Sequence, residues 1–360
     1  NISYDSGGTI SVCADTNDIA FYAVTLKEDT ADLQAGVYFR VQLCGITGHK
    51  QFASDSGLLI TPSESTALAS AILRVFIENG DRSNRKKARL KYLIDDWGTS
   101  RFLKEVQKNL AFSLRYVSEG LCKKPIPKIK HGHIGTYKQA DGHNYIGIVV
   151  PVGRMTTSTA RHITDIAEKF GSGDIRLTTW QNLLIPNISD EQLANAQAAI
   201  KAVGLAYTST TISGGLIACT GNTGCKFAAA NTKSQALILG QYLETKVKLD
   251  QPINIHLTGC HHSCAQHYIG DIGLMGTPVK LESGEKVEGY NIVLGGGVDD
   301  TQAIAREVYK NIPFEKIPPI IETLLKVYQK KRKDGETFAQ YTQREKLEDL
   351  VAADPIRQAN

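Results

Sequence analysis

Four of the seven cysteines lie within 46 residues, and their spacing is typical of a metal centre. They read Cys219-x5-Cys225, then 34 intervening residues, then Cys260-x3-Cys264. Thiolates are the usual ligands of iron–sulfur clusters, and four of them complete a [4Fe–4S] cube. Structural zinc prefers tighter pairs separated by two to four residues. The spacing therefore favours iron–sulfur ligation, with zinc ligation and unliganded core thiols as the alternatives.

The residues beside these cysteines also suit a cluster. Thr220–Gly224 and the pair Thr258-Gly259 are small, and their backbone N–H groups can donate to cluster sulfurs. The three other cysteines stand alone in the sequence, as expected of small core residues: Cys13, Cys44 and Cys122. An odd cysteine count in a long chain argues against a secreted disulfide framework and favours a cytoplasmic protein.

A second candidate for chemistry is a basic stretch from Arg82 to Lys91, which places six cations in ten residues. On a helix, Arg82, Arg85 and Arg89 would share one face and could direct their guanidinium groups at carboxylates. The alternative is an ordinary solvated, charged surface.

The composition limits the class of protein. The chain has 360 residues, of which 42% are hydrophobic and 22% charged, so it can bury large cores. A net charge of +4 is too mild to indicate nucleic-acid binding. The longest apolar runs, such as 146–152, are too short to cross a membrane, and no leader opens the chain.

Two stretches of sequence resemble each other and predict a repeated α/β module. Each has an aspartate before an apolar run, a second run beginning 18 residues after that aspartate, and a glycine-containing turn: 18–45 and 271–297. Each then leads into a helix. The first helix has a capping box at Thr61–Glu64 and ends at Gly80, and the second has helical apolar spacing from Ile317 to Tyr328.

A different unit lies between the two copies. A basic, proline-containing segment indicates a linker over 119–132. Beyond it, the pattern predicts strands at 145–152 and 174–185, a helix ending near Gly171, and a helix from Ser189 to Gly204. This order suggests a ferredoxin-like sandwich at 133–206. The expected modules are then 1–118 and 207–345, with a tail at 346–360.

At this point the sequence resembles a known family. Ala218-Cys-Thr-Gly-Asn-x-x-Cys225, Thr258-Gly-Cys-x-x-Ser-Cys264 and Asp271-Ile-Gly-x-Met-Gly276 look like the cluster motifs of nitrite and sulfite reductases. The Cys-Thr-Gly-Asn motif is closer to the ferredoxin-dependent nitrite reductase branch. The resemblance extends over nearly the whole chain and implies an α+β fold, with pseudo-two-fold duplicated reductase modules around a ferredoxin-like sandwich.

The resemblance also implies cofactors and site residues. Sirohaem would accompany the cube, and Cys264 would bridge the cube to the sirohaem iron. Sirohaem carries eight carboxylates, and the family's basic motif implies Arg89, and less directly Arg85, as ligands for them. The segment Arg176–Asn182 resembles a Thr-x-x-Gln-Asn signature. There Asn182 would bond a sirohaem edge or simply make a strand-end contact.

The implied activity is the six-electron reduction of nitrite to ammonium, with electrons from ferredoxin. Sulfite reduction is the enzymatic alternative, and a non-catalytic iron–sulfur electron-transfer protein is another. The family's opening unit, with most of its anion-binding residues, is expected outside this sequence, in a preceding segment or a separate chain. Alone, this polypeptide is expected to reduce nitrite poorly.

The sequence departs from the family at two neighbouring positions. His261 and His262 stand between two cluster cysteines, where relatives commonly have Pro-Asn. An imidazole there could donate to the cluster or deliver protons. The alternative is a pair of exposed loop histidines.

Overall fold

The computed structural model describes residues 1–8, 10–84, 87–126 and 128–351. The chain divides into two compact units, Asn1–Lys128 and Ile129–Asn360, called here the first and the second unit. Helices and strands mix within both, so the predicted α+β class is confirmed. No helix in the described ranges is long and apolar enough to span a membrane.

The first unit contains a five-stranded sheet. Its strands are β1 (Ile2–Asp5), β2 (Ile19–Leu26), β3 (Gly36–Leu43), β4 (Ser54–Ile60) and β5 (Cys122–Lys123). They run in the order β1-β2-β3-β4, with β5 also paired to β2, and only β1 and β2 are parallel. The predicted linker at 119–132 is thus wrong at its beginning, because β5 belongs to this sheet and Cys122 is buried.

Three helices cover one face of this sheet: α1 (Ser65–Asn79), α2 (Leu90–Trp97) and α3 (Thr99–Gln107). Their apolar sides pack onto strand residues such as Phe21 and Val41. The predicted capping box is present, since Glu64 accepts from the Thr61 backbone N–H at 2.8 Å, and α1 ends before Gly80 as predicted.

In the residues described there, the helix that would place Arg82 and Arg89 on one face is not present, and only the end of the basic stretch, from Leu90, is helical. Arg82 lies in an irregular segment, and Arg89 has an extended backbone (φ −138°, ψ 149°) immediately before α2 begins. Like charges three and four residues apart destabilise a helix, which agrees with this outcome. Arg85 lies outside the described residues.

The second unit begins with a four-stranded antiparallel sheet covered by two helices. Its elements are β6 (Gly135–Lys138), β7 (Asn144–Ile148), α4 (Thr157–Phe170), β8 (Arg176–Leu177), β9 (Leu183–Ile188) and α5 (Asp190–Ala202). The strands run in the order β6-β7-β9-β8. Helix α4 ends before Gly171 as predicted, and Ser189 caps α5 by accepting from the Gln192 N–H.

The single strand predicted over 174–185 is instead a hairpin. Strands β8 and β9 are antiparallel, and residues 178–182 form the turn between them. Gln181 has a positive φ of 59°, and Thr178 and Asn182 close the turn through their backbones. The run Leu-Thr-Thr-Trp has high β-propensity, and for this reason the sequence predicted one continuous strand where the chain turns.

The rest of the second unit is a five-stranded sheet with helices packed on it. Its elements are β10 (Leu216–Ala218), α6 (Thr232–Lys246), β11 (Ile255–Thr258), β12 (Ile272–Lys280), β13 (Lys286–Leu294), β14 (Arg306–Pro313), α7 (Ile317–Lys331), α8 (Phe338–Arg344) and α9 (Leu347–Val351). The sheet order is β10-β11-β12-β13-β14, with β10, β11 and β12 parallel. Helices α6 and α7 contribute to its core.

The duplication predicted from sequence is visible in the strand register. Ile19 opposes Leu43 in the first unit, and Ile272 opposes Leu294 in the second. After each hairpin, the next residue donates its N–H back to the aspartate before the first strand. Cys44 does so at 2.8 Å and Gly295 at 3.1 Å, with φ of 77° and 82°. Cys44 therefore occupies a backbone position that favours glycine.

Candidate metal centre

The two cysteine loops begin at the same edge of the second unit's larger sheet. Cys219 directly follows β10, and Cys260 lies two residues after β11. These strands are adjacent and parallel, so their carboxyl ends meet at one edge. The Cys219 N–H donates to the Leu257 carbonyl at 3.0 Å, and the Gly259 N–H donates to the Cys219 sulfur at 3.2 Å. The second loop thus already supplies a donor to a sulfur of the first.

The first loop folds back so that Cys225 returns to the same edge. The Cys225 N–H donates to the Gly221 carbonyl at 2.9 Å, and Gly221 has a φ of 71°, which favours glycine. The Ala229 N–H then donates to the Gly259 carbonyl at 2.7 Å. A side chain at Gly259 would place its Cβ 2.5 Å from that of Ala228, so the close approach of the two loops requires glycine there.

The second loop holds Cys260 and Cys264 through a tight turn. Ser263 has a φ of 55°, its N–H donates to the Cys260 carbonyl at 3.3 Å, and its hydroxyl lies 2.9 Å from His267 Nδ1. The Ala265 N–H donates to Thr258 Oγ1 at 3.3 Å. Cys264 is the exposed member of the four, whereas the other three are half-buried.

The Cys264 thiol lies within electrostatic reach of the other three cysteines. Burial raises the pKa of the Cys264 thiol, and the neighbouring thiolates of Cys219, Cys260 and Cys225 raise that pKa further. Mutual repulsion of this kind is relieved when cationic iron takes the four thiolates as ligands. Within the described ranges, no three His, Cys, Asp or Glu side chains are grouped to hold one metal ion. A cube spreads its ligands over four iron corners and does not require such a group.

Gln181, which was not among the predicted site residues, connects the hairpin turn to the first cysteine loop. Its Nε2 donates to the Ala218 carbonyl at 2.9 Å, and its Oε1 accepts from the Ala218 N–H at 3.2 Å. These two bonds resemble the pairing of a neighbouring strand with β10. They hold the backbone of Ala218, the residue immediately before Cys219. The Thr-x-x-Gln-Asn signature contained this signal.

The side chain of Asn182, in the same turn, forms its hydrogen bonds within the second unit. It is 5% exposed, its Oδ1 accepts from the Val150 N–H at 3.0 Å, and its Nδ2 lies 3.3 Å from His133 Nε2. These contacts agree with the strand-end alternative. The contact with a sirohaem edge stays a prediction.

Two charged residues that the sequence analysis did not select also support the cysteine loops. Glu288 on β13 accepts from the Asn231 N–H at 2.9 Å and from Gln235 Nε2 at 2.8 Å, at the start of α6. Lys233 in the first turn of α6 donates to the Ala218 carbonyl at 3.1 Å and to the Val152 carbonyl. Neither residue belongs to a recognisable sequence motif.

The predicted basic ligand of the first unit, Arg89, forms an ion pair with Asp18. Its Nη2 and Nε donate to the carboxylate at 2.7 Å and 3.1 Å. Asp18 is the aspartate of the first module copy, and its counterpart Asp271 is paired with Lys130 at 2.7 Å. In the described structure this ion pair leaves Arg89 Nη1 available to a further acceptor.

The histidines between the cluster cysteines are exposed, which agrees with the loop alternative. His262 Nδ1 nevertheless lies 3.3 Å from the Cys260 sulfur, and its ring meets Phe227 edge-on at 5.5 Å. The isolated cysteines Cys13, Cys44 and Cys122 are buried as predicted, and burial raises the pKa of Cys44 to about 12.

Two known protein families match the same parts of the chain as the predicted modules and the predicted ferredoxin-like unit. The nitrite and sulphite reductase 4Fe-4S domain matches residues 1–114 and 214–353, and the nitrite/sulfite reductase ferredoxin-like half domain matches residues 137–203. The ferredoxin–nitrite reductase of Synechococcus elongatus is 34% identical over 330 residues, covering 90% of this chain and 62% of that protein.

Two further proteins extend the comparison. The ferredoxin sulfite reductase 1 of Mycolicibacterium paratuberculosis is 30% identical over 352 residues, covering 95% of this chain and 61% of its own. The structure of the Mycobacterium tuberculosis NirA protein superposes with a TM-score of 0.85 at 29% identity, covering 94% of this chain and 62% of that one. The chain thus spans 61–62% of the length of these three proteins.

Both the cysteine motifs and the duplicated modules expected from the sequence agree with these matches. The chain belongs to the nitrite and sulfite reductase family, and the family match supports the expected cofactor pair of a [4Fe–4S] cluster and sirohaem.

Proposed function

We propose that this chain is the cluster-binding part of a ferredoxin-dependent nitrite reductase, an oxidoreductase that reduces nitrite to ammonium with six electrons. The observation that carries the proposal is that two loops, one with Cys219 and Cys225 and the other with Cys260 and Cys264, contact each other at one sheet edge. The four thiols stand in a chain 34% identical to a ferredoxin–nitrite reductase.

The residues present fit a [4Fe–4S] cluster. The Cys264 thiol lies within electrostatic reach of the other three thiols, and the Gly259 N–H already donates to the Cys219 sulfur. When bound, the cluster supplies electrons and the sirohaem supplies an iron site for the substrate anion. The chain's own part is to hold the thiolates in place without rearrangement.

The site residues have separate proposed roles. Cys219, Cys225 and Cys260 would hold the cube, and the more exposed thiol of Cys264 would hold it on the side shared with sirohaem. Arg89 holds a sirohaem carboxylate with the part of its guanidinium that Asp18 leaves available. The corresponding proposal for Arg85 concerns a residue outside the described structure.

Electrons are proposed to come from ferredoxin. The relatives at 30% and 34% identity are named for this donor, and no glycine-rich nucleotide-binding pattern follows a strand in this sequence. A cytoplasmic location belongs to the same proposal, because unpaired thiols of this kind persist in reducing compartments.

Sulfite reduction is the second candidate, supported by the sulfite reductase that matches 95% of the chain. The test is to load the protein with iron, sulfide and sirohaem and supply reduced ferredoxin. Ammonium is then measured from nitrite, and sulfide from sulfite. The matched variants are Cys225→Ser and Cys122→Ser, since one removes a proposed cluster ligand and the other a buried thiol of the first unit.

The result expected of this chain alone is visible bands of coupled sirohaem and cluster with slow ammonium formation, both lost in Cys225→Ser and kept in Cys122→Ser. Faster turnover of sulfite than of nitrite would replace the proposal by the second candidate. A protein that binds the cluster but no sirohaem, and turns over neither anion, would support the non-catalytic alternative. A colourless protein after reconstitution would contradict both reductase readings.

A further inference from the structure

Lys233 stands where the local electrostatics of its helix disfavour a cation. It is the second residue of α6 (Thr232–Lys246), and the amino-terminal end of a helix carries partial positive charge. The carboxylate that complements this end is Glu288, which accepts from the Asn231 N–H. In the described part of the chain, no carboxylate forms an ion pair with Lys233, whose ammonium is held by two backbone carbonyls.

The surroundings of the Lys233 ammonium also disfavour its positive charge. Lys233 is half-buried, and both burial and the nearby charge of Arg154 lower its pKa, whereas the thiolate of Cys219 raises it. Three effects thus oppose a cation here, and the neighbouring charge that favours it belongs to a proposed cluster ligand. A residue whose charge conflicts with the electrostatics of its helix commonly marks a functional position.

The contacts of Lys233 fix its charge beside the first cysteine. Its ammonium binds the carbonyl of Ala218, the residue immediately before Cys219. The preceding residue, Thr232, donates its hydroxyl to the Cys219 carbonyl at 2.8 Å and lies 3.6 Å from the Cys219 sulfur. The ammonium is therefore held through the same short segment that positions the thiolate.

We propose that Lys233 is the fixed counter-charge of the [4Fe–4S] cluster, which stabilises the reduced cluster relative to the oxidised cluster. An assembled cube with four thiolates is anionic, and it gains one more negative charge on reduction. A fixed positive charge beside Cys219 favours that gain. The proposal rests on the cluster assigned above and does not depend on the identity of the substrate.

The expected effect is large enough to measure. At an effective dielectric constant of about 20, a unit charge roughly 12 Å away changes a one-electron equilibrium about tenfold. A tenfold change corresponds to about 59 mV in the potential of a one-electron couple. Removing the charge of Lys233 should therefore lower the cluster potential by at least that amount.

The experiment is a redox titration of the cluster, followed by its electron paramagnetic resonance signal, in protein loaded with cluster and sirohaem. The variants are Lys233→Gln, which removes the charge and keeps a donor, and Lys233→Arg, which keeps the charge. The matched control is Lys226→Gln, because Lys226 follows Cys225 directly but is exposed, with its ammonium over the Phe227 ring. Solvent screens such a charge.

A potential that falls in Lys233→Gln, recovers in Lys233→Arg and stays constant in Lys226→Gln supports the proposal. So does loss of the cluster in Lys233→Gln alone. An unchanged potential in Lys233→Gln overturns it, as does equal impairment of Lys233→Gln and Lys233→Arg, which would show a steric role. Loss of sirohaem at constant cluster potential would instead assign Lys233 to a sirohaem carboxylate. Absence of any cluster in the unaltered protein would contradict the proposed function itself.

Discussion

The Gln181 side chain is predicted to stabilise the start of the first cysteine loop by about 2–4 kcal/mol. It makes two hydrogen bonds to the backbone of Ala218, which is fully buried. Loss of the bond to the Ala218 carbonyl costs about 1 kcal/mol, and leaving the buried Ala218 N–H without an acceptor costs about 1–3 kcal/mol. In Gln181→Ala the Ala218 carbonyl retains Lys233 as a donor, whereas the Ala218 N–H loses its acceptor.

The assay has two readouts, both compared with Gln197→Ala as the control. Gln197 is also half-buried in the second unit, but its amide donates to the side chain of Thr136, so its removal should cost about 1 kcal/mol. The free energy of unfolding in urea is measured on metal-free protein, and the rate of cluster loss to a chelator on loaded protein. Because Ala218 precedes Cys219, Gln181→Ala should lose its cluster more than tenfold faster. Equal stability and equal cluster loss in the two variants would refute this account of the turn.

Three further predictions follow from burial and charge. Asp271→Asn should lower the free energy of unfolding by about 3–5 kcal/mol, because Asp271 is 1% exposed and its loss leaves the Lys130 charge without a partner. Asp18→Asn changes a more exposed ion pair and should lower this free energy by less. Equal losses in the two variants would contradict the role of burial. Cys264→Ser should keep the circular dichroism of the fold but lower the iron content per chain, while Cys122→Ser keeps its iron; normal iron in Cys264→Ser would exclude that ligand. Burial lowers the pKa of three imidazoles to about 4: His131, His133 and His256. Since the unfolded chain binds these protons near pH 6.5, stability should be full above that pH and fall towards pH 4, as the urea midpoint measured across this range will show.

The elements that sequence predicted correctly are those whose signals are local. The capping box at Thr61, the apolar spacing from Ile317 to Tyr328 and the Ser189 cap each lie within one stretch of chain. The cysteine motifs are local in the same sense, because two short segments carry all four thiols. Adjacent parallel strands then bring these segments together.

The elements that sequence missed depend on distant partners. A helix through the basic stretch would have placed Arg89 on one face with Arg82, but Arg89 pairs with Asp18, 71 residues away, from an extended position. Lys233 binds the carbonyl of Val152, 81 residues away, and a lone lysine early in a helix gives no sign of such a contact. The turn at Gln181 depends on Ala218, which belongs to another sheet of the second unit.

The two copies of the module separate what the shared backbone fold contributes to the site from what individual residues contribute. Strand β1 pairs with β2 in the same register as β11 with β12, so the loops between them have the same length. At the positions of Cys260 and Cys264 in the second copy, the first copy has Gly7 and Ser11. The Ser11 hydroxyl accepts from the Cys13 N–H at 3.2 Å, a contact internal to its own loop. The scaffold therefore supplies a loop of suitable length in both copies. In the second copy, Cys260 and Cys264 occupy these two positions, and with the two cysteines of the loop after β10 they are the proposed ligands of a cluster.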